Sequence, residues 1–307
     1  MGWRLKSAQF KLLSALPGGP GLYNFLQEHV TRSTVATGLQ IGHKVSVGLD
    51  FWAWLQAQGR SGQLTGGRLL DYGSGWHPTI PLLWYAFGNN WQTLVDITPN
   101  MDARKVNDAI KLFREIVSAL NWSGRPWLKR LPEARAITGR QAGAALSHLG
   151  IEYCAPYRSV LRDRPEQYDV MICTQVMYYI SKPALATLLK ELYSCLKPGG
   201  LFHATIHFVG QFRDPFSRHG QYEHLSYSPE TWEHWINSSL MSFNRLKGPD
   251  YRGAIEQAGF KLREFRLTAP TDADLAELRR ARVHPCFSHY SEQNLAARGV
   301  FLVAEKP

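Results

Sequence analysis

A strand-like segment that runs into a glycine-rich turn carries the strongest chemical signal in the sequence. Residues 69–78 read LLDYGSGWHP, in which Asp71 ends an apolar run, Gly73 and Gly75 follow, and Pro78 marks a helix start. Glycines at these positions permit a tight turn and a close approach of the backbone to a ligand. The acid before the first glycine and the missing third glycine differ from a dinucleotide fingerprint. The pattern favours a ligand with a cationic or hydrogen-bond-donating group, and a purely structural turn is the alternative.

A second acid follows the next predicted strand. Asp96 stands 23 residues after Gly73, at the end of the apolar segment TLVDI. A carboxylate at this spacing can accept both hydroxyl groups of a ribose. A helix N-cap or a solvated strand end is the alternative interpretation.

Several side chains could accept a proton from a reacting group. The candidates are His207, Tyr179, Asp214, His219 and His224. His207 is favoured because it ends a predicted strand, and His203 lies on the same face, so one of the two could be a core histidine. On a strand these two side chains lie about 13 Å apart along the chain. They cannot chelate one ion together, and no metal site is expected.

The elements that must position these groups alternate along the chain, as in a doubly wound α/β sheet. Helical spacing of apolar residues predicts helices over 44–58, 102–120 and about 181–196, the last stopped by LKPGG, and another helix starts near Asp250. Ligands of such sheets bind at the carboxyl ends of the strands. The predicted strands are 68–72, 93–97, 151–155, 168–173, 200–208, 261–268 and 299–306.

The order LLDYGSG, LVDI, YDVMICTQ and LKPGG resembles the class I S-adenosylmethionine-dependent methyltransferases. The resemblance covers about residues 66–208 and the closing strands from 251 to 307. Within that superfamily, GSGWHPTIP is similar to a bacterial small-molecule subgroup with a G-[ST]-G-W-x-P-x-x-P loop. The resemblance implies a Rossmann-like seven-stranded sheet with helices on both faces and S-adenosylmethionine as cofactor.

The resemblance also implies roles for individual residues. Asp71, Gly73 and Gly75 would line the methionine moiety, Asp96 would bind the ribose and Ile97 would cover one face of the adenine. Gln175 joins this cofactor set, while His207 and Tyr179 are the catalytic candidates. Two departures stand out: Cys154-Ala155-Pro156 replaces the acid often found after strand three, and Tyr178-Tyr179 replaces the Glu-His of many relatives.

The predicted domain organisation places a helical N-terminal cap at 1–66, a cofactor-binding core at 67–208, a substrate cap insertion at 209–250 and a completion of the core sheet at 251–307. Arg245, near the end of the insertion, could bind an anionic acceptor or Asp214. The aromatic residues of this region could wall an acceptor pocket or pack the cap. They are Phe208, Phe212, Phe216, Tyr222, Tyr227, Trp232, Trp235 and Phe243.

Composition excludes several classes of protein. The 307 residues, 44% hydrophobic and 20% charged, are typical of a soluble globular chain, and the longest uncharged stretch is too interrupted to be a transmembrane helix. Four widely spaced cysteines form no disulfide or zinc-ribbon pattern, and the N-terminus does not read as a secretory signal. A cytoplasmic location is expected.

The sequence therefore predicts a methyltransferase that acts on a partly aromatic or apolar small molecule, with a role in secondary metabolism. The net charge of +10 keeps RNA or DNA open as an acceptor, although no N-P-P-Y loop follows strand four. A cofactor-binding protein without catalysis is the third hypothesis. A nicotinamide oxidoreductase is disfavoured by the glycine pattern and by Asp71.

Overall fold

Seven strands form one sheet in the computed structural model, which describes residues 3–26, 36–119, 142–157, 161–208, 220–238, 240 and 242–307. The order across the sheet is β3-β2-β1-β4-β5-β7-β6. Strand β1 is parallel to β2 and to β4, and β2 is parallel to β3. The predicted seven-stranded α/β Rossmann-like fold is confirmed. The strands are β1 (Leu69–Tyr72), β2 (Gln92–Val95), β3 (Ile151–Cys154), β4 (Tyr168–Thr174), β5 (Leu196–His207), β6 (Lys261–Leu267) and β7 (Gly299–Glu305).

Helices occupy the connections between the strands and the region that precedes β1. None of the described helices combines the length and the apolar character needed to cross a bilayer. The helices are α1 (Trp3–Ala15), α2 (Gly19–Phe25), α3 (Gly38–Ala57), α4 (Ser61–Thr65), α5 (Thr79–Phe87), α6 (Ala103–Ala119), α7 (Ala142–Ser147), α8 (Lys182–Cys195), α9 (Pro229–Thr231), α10 (Gly248–Gln257), α11 (Asp272–Arg280) and α12 (Glu292–Ala296).

The central strands are buried because helices cover them. All four residues of β1 and all four of β2 are buried, and β4 is buried over most of its length. Continuous burial of this kind is typical of parallel strands that are covered on both faces. The register pairs Asp71 with Leu94 of β2 and with Ile172 of β4, so the last part of β1 is held from both sides.

The chain divides into two compact units. The glycine-loop unit contains Thr34–Thr174, Lys190–His203 and Ala304–Pro307. The insertion unit contains Met1–Ser33, Gln175–Leu189 and Ala204–Val303. Both α1 and the described part of the predicted cap insertion lie in the insertion unit, where the Lys11 ammonium donates to the carbonyl of His234. The domain boundaries drawn from the sequence stay a prediction.

Helix α3 begins earlier than the sequence pattern indicates. The predicted start was Lys44, and the structure begins the helix at Gly38. The cause is a capping box, in which the Thr37 hydroxyl accepts from the Gln40 N–H (3.3 Å) and the Gln40 amide oxygen accepts from the Thr37 N–H (3.2 Å). Residues 38–43, which precede the predicted start and lack apolar periodicity, are therefore helical.

The LKPGG segment does not separate a helix from a strand. Helix α8 ends at Cys195 and β5 begins at Leu196, so the predicted strand start at 200 is wrong. Pairing with the residue that follows β7 accounts for this, because the Gly199 N–H donates to the Lys306 carbonyl (2.7 Å) and the Lys306 N–H donates to the Gly200 carbonyl (3.1 Å). Gly199 has φ +74°, a conformation that glycine adopts without strain.

A substitution in β7 should disturb the end of β5 where His207 lies. A Cβ atom at Gly299 would lie 2.5 Å from the Ile206 carbonyl oxygen and 3.6 Å from the His207 Cα. Gly299→Ala should therefore destabilise the protein by about 1–3 kcal/mol through overpacking. Urea unfolding monitored by circular dichroism measures the change.

Gly253→Ala is the matched control, since a Cβ atom there meets nothing within 4 Å on α10. It should be neutral or stabilising by about 0.5–1 kcal/mol. Equal unfolding midpoints for Gly299→Ala and the wild type would contradict the close approach of β7 to Ile206.

Candidate functional site

The turn after β1 is held in an unusual backbone conformation. Gly73 has φ +79° and Gly75 has φ +69°, both in the left-handed region. The N–H groups of Gly73 and Ser74 both donate to the Val95 carbonyl, at 2.8 and 3.2 Å. A side chain at either glycine would strain this backbone. The turn is thus fixed against the end of β2, with its backbone open to close approach.

Asp96 joins this turn to the end of β2. Strand β2 ends at Val95, so Asp96 and Ile97 follow the strand, where the sequence pattern had included them in it. One carboxylate oxygen of Asp96 accepts from the Gly75 N–H (2.8 Å), and the other accepts from the Thr98 N–H (3.0 Å). Burial raises the pKa of Asp96, and these backbone donors oppose the shift. Each oxygen keeps lone-pair capacity for a further donor such as a ribose hydroxyl.

Asp71 is a buried carboxyl group at the end of β1. Its side chain is 5% exposed and accepts no hydrogen bond from the described residues. Burial raises its pKa to about 7, Lys44 of α3 opposes this rise, and Asp96 adds to it. A buried acid in this state gains stability from a cationic or donating ligand group.

Three side chains in and beside the turn test whether a cofactor with such groups fits there. The buried Ser74 hydroxyl has no hydrogen-bond partner among the described residues, so it can still donate or accept. His77 is held neutral, because burial and the nearby Lys44 and Lys105 lower its pKa to about 4. Ile97 is 73% exposed beside Asp96 and offers an apolar surface. These groups fit an amino-acid end, a ribose and an adenine.

The insertion unit contains the favoured base, His207, as the last residue of β5. Its Nε2 lies 2.8 Å from the Nε2 atom of Gln175, and the assignment of the donor depends on the ring tautomer. The Gln175 N–H also donates to the Thr205 carbonyl (2.7 Å), and Gln175 has φ +58°. A left-handed conformation at a residue other than glycine is strained, and such strain clusters at functional sites. Gln175, expected at the cofactor, thus contacts the histidine.

Tyr179 belongs to an aromatic cluster in the same unit. The Tyr178 hydroxyl donates to the Tyr179 hydroxyl (3.0 Å), and the Tyr178 ring lies nearly parallel to that of His207 with centroids 6.5 Å apart. Phe243 packs on both tyrosines, at 5.9 and 5.2 Å. Burial raises the pKa of Tyr179, although 42% of the residue is exposed. Its phenol therefore stays protonated at neutral pH.

Asn244 fixes the loop that carries Tyr178 and Tyr179, and the sequence analysis missed it. Its side-chain amide donates to the carbonyls of Met177 (2.9 Å) and Ile180 (2.7 Å), and its own N–H donates to the Tyr178 carbonyl (2.9 Å). In this segment the sequence indicated a binding role only for the neighbouring Arg245. An asparagine 66 residues after Tyr178 leaves no signal in local sequence patterns.

Arg245 is held by groups of the insertion unit, and Asp214, one of its two candidate partners, lies outside the described residues. Its guanidinium donates to the carbonyls of His224 (3.1 Å) and Tyr227 (2.7 Å) and lies over the rings of Trp232 and Phe287. Burial lowers its pKa to about 10.

His224 is a structural histidine, because both ring nitrogens have partners. Nδ1 lies 3.1 Å from the Gln221 carbonyl oxygen, and Nε2 lies 3.5 Å from the ammonium of Lys247. Burial and the neighbouring cations lower its pKa, so it is neutral. It does not serve as a free base. The other candidates in this region, Asp214 and His219, lie outside the described residues.

The aromatic residues of the predicted cap mostly pack the interior. Phe208, Tyr222, Trp232 and Phe243 are all at most 6% exposed, whereas Trp235 is 72% exposed. Phe212 and Phe216 lie outside the described residues. The packing interpretation therefore holds for the four buried rings.

His203 is a core residue of the glycine-loop unit. Its ring stacks on Phe51 of α3 with centroids 4.2 Å apart. Within the described parts of the chain, no three His, Cys, Asp or Glu side chains are grouped so that they could hold a metal ion.

Comparisons with known proteins were made against families, curated proteins and solved structures. A family model described as "Methyltransferase domain" matches residues 51–264. No curated protein gave a significant match. Similar solved structures include an S-adenosylmethionine-dependent methyltransferase from Mesorhizobium loti, with 16% identity, 83% of this chain and 96% of that chain covered, and a TM-score of 0.43. Another is a SAM-dependent methyltransferase from Methanosarcina mazei, with 16% identity, 78% and 92% covered, and a TM-score of 0.42.

Asp71→Asn tests the cost of burying a carboxyl group. The folded-state pKa of about 7 lies above the ordinary value of 3.8, so the folded protein binds the proton more tightly. The tighter binding of this proton stabilises the folded wild-type protein. The stabilisation is complete below the ordinary pKa of the carboxyl group and is lost as the pH rises through its folded-state pKa. The stability of the variant relative to the wild type should therefore increase by about 3–4 kcal/mol from about pH 4 to about pH 8.

Urea unfolding at both pH values measures this difference. Asp108→Asn, on the exposed side of α6, controls for the loss of one charge. A difference between Asp71→Asn and the wild type that does not change with pH would contradict a raised pKa at Asp71.

Proposed function

This chain belongs to the methyltransferase-domain family and is an S-adenosylmethionine-dependent enzyme, and on that premise we propose that it methylates a small molecule. The acceptor would present an oxygen, nitrogen or carbon nucleophile. The observation that carries the cofactor part of the proposal is the left-handed turn at Gly73 and Gly75, which Asp96 holds by a 2.8 Å hydrogen bond. We further place the protein in the G-[ST]-G-W-x-P-x-x-P subgroup on its GSGWHPTIP motif.

The residues of the glycine-loop unit would hold the cofactor by complementary chemistry. Asp71 offers a carboxyl group to the amino group of the methionine moiety, and the Ser74 hydroxyl provides a further polar contact. Asp96 accepts from the ribose hydroxyls with its remaining lone pairs, and Ile97 covers one adenine face. Bound S-adenosylmethionine supplies an electrophilic methyl group on a sulfonium sulfur.

The protein must align the acceptor and accept its proton where the nucleophile carries one. We assign proton acceptance to His207. When the Gln175 amide nitrogen donates to Nε2, the ring proton lies on Nδ1, and Nε2 would take up the acceptor's proton once the acceptor displaces Gln175 from that nitrogen. Gln175 acts as a positioning residue for this ring. The protonated phenol of Tyr179 would donate a hydrogen bond to the acceptor.

The aromatic cluster supports an acceptor that is partly aromatic or apolar. Tyr178 and Phe243 are buried and stacked, Tyr179 packs tilted against both rings, and Tyr179 is exposed enough to contact a ligand. Planar acceptors would stack on such rings.

We place the reaction in secondary metabolism. We place the protein in the cytoplasm, which is supported by its four free cysteines.

RNA or DNA is the second candidate acceptor, and the net charge of +10 is the observation that favours it. No side chain of the described aromatic cluster distinguishes a free small molecule from a nucleobase. A non-catalytic role as a cofactor-binding interaction protein is the third candidate. Formation of S-adenosylhomocysteine with a small-molecule library, with RNA and with no acceptor separates the three.

Asp96→Ala should weaken binding of S-adenosylhomocysteine by tenfold or more. Loss of a hydrogen bond to a charged group costs about 1.5–3 kcal/mol, and the glycine turn loses its anchor as well. Isothermal titration calorimetry measures the dissociation constant, with the exposed Asp108→Ala as control. Unchanged affinity in the Asp96 variant would contradict its role at the ribose.

His207→Ala should slow methyl transfer by about 10²–10⁴-fold while the affinity for S-adenosylhomocysteine stays within about twofold, because the histidine acts on the acceptor proton. Gln175→Leu should slow methyl transfer less than His207→Ala does. It should also change the pH profile of methyl transfer, because the His207 ring loses the partner that fixes its tautomer. The assay follows product formation with an acceptor found by screening. The exposed His148→Ala is the control. Undiminished turnover in His207→Ala would remove it as the base.

A further inference from the structure

Helix α3 brings a lysine to the glycine turn from a distant part of the sequence. The helix buries the stripe Ile41, Val45, Gly48, Phe51 and Leu55. At Gly48 it approaches α5 so closely that a Cβ atom would lie 2.5 Å from a methyl group of Leu83. Lys44 precedes Gly48 by one helical turn on the same side of the helix. Helix α5 begins four residues after Gly75, so α3 packs on the helix that follows the turn.

The electrostatic neighbours of Lys44 indicate that its side chain lies near the turn. Lys44 interacts with Asp71 at the end of β1 and with His77 just after the turn. Burial lowers the pKa of Lys44, and Asp71 opposes that shift. Lys44 is partly buried, on the side of the turn where Asp71 and His77 lie.

Lys44 and Asp71 shift each other's pKa without forming an ion pair. Among the described residues, neither side chain has a hydrogen bond, and no ion pair within 4.0 Å joins them. Charged groups buried without a partner are costly, and a binding partner of opposite charge removes that cost. A partly buried ammonium and a buried carboxyl group, separated but near the same turn, are complementary to a zwitterion. The unpartnered Ser74 hydroxyl lies in the same turn.

We propose that Lys44 binds the α-carboxylate of the methionine moiety of S-adenosylmethionine, while Asp71 binds its α-amino group. This assignment rests on the proposed function. It makes α3, which precedes the sheet, part of the cofactor site. It also makes the intact amino-acid end of the cofactor a requirement for tight binding, because both charges need their partners.

Binding of two ligands distinguishes the contact between Lys44 and the carboxylate from the other contacts in the site. S-adenosylhomocysteine carries the amino-acid end, and 5′-methylthioadenosine shares the adenosine and the sulfur but lacks that end. Lys44→Met removes the charge and keeps an apolar chain of similar length. Its affinity for S-adenosylhomocysteine should fall tenfold or more, while its affinity for 5′-methylthioadenosine should stay within twofold of the wild type. Calorimetric titration of the full chain measures both.

Control variants complete the design. Lys111→Met changes an exposed lysine of α6 and should leave both affinities unchanged. Lys44→Arg keeps the charge and should recover part of the lost affinity for S-adenosylhomocysteine. If Lys44→Met does not fold, Lys44→Gln is measured in its place, with circular dichroism to verify folding.

The outcomes distinguish this assignment from the proposed function. Equal losses for the two ligands, or no loss for either, would overturn the role of Lys44. If the wild type binds S-adenosylhomocysteine and Asp96→Ala weakens it, the proposed function stands even when Lys44→Met has no effect. If the wild type binds neither ligand, the proposed function fails and the Lys44 assignment fails with it.

Discussion

The hydrogen bond from the Gly75 N–H to the Asp96 carboxylate is the constraint on which the candidate site depends. It joins the turn after β1 to the residue after β2, and Val95 reinforces the junction by accepting from Gly73 and Ser74. Two left-handed glycines in one short turn would otherwise be free to move. The bond thus sets both the shape of the turn and the orientation of the carboxylate that would meet the ribose.

The site also retains buried charge that the described protein does not neutralise. Asp71 is almost fully buried, and burial raises its pKa to about 7 despite Lys44. A chain optimised for stability alone would replace both groups with apolar side chains. Their presence beside a turn shaped for a ligand agrees with a functional use, since binding sites retain features that cost stability. The insertion unit has a feature that also costs stability, the strained left-handed backbone of Gln175, which contacts His207.

Sequence patterns predicted the sheet and the acids at its strand ends because buried parallel strands and glycine turns leave local signals. They did not predict the start of β5, because the pairing of Gly199 with Lys306 is a tertiary interaction. Lys44 and Asn244 were missed for the same reason. Each reaches its site from a remote segment, and a lysine on a helix or an asparagine in a loop has no distinctive local pattern. The contact between Gln175 and His207 likewise depends on how β4 and β5 end.

We propose that the glycine turn binds S-adenosylmethionine and its product and does not bind a dinucleotide. The most direct test is calorimetric titration of the wild-type protein with S-adenosylhomocysteine and, separately, with NADH. The account predicts saturable binding of S-adenosylhomocysteine at one site per chain and no binding of NADH. Binding of NADH alone, or of neither compound, would contradict it and would leave the turn with a structural role.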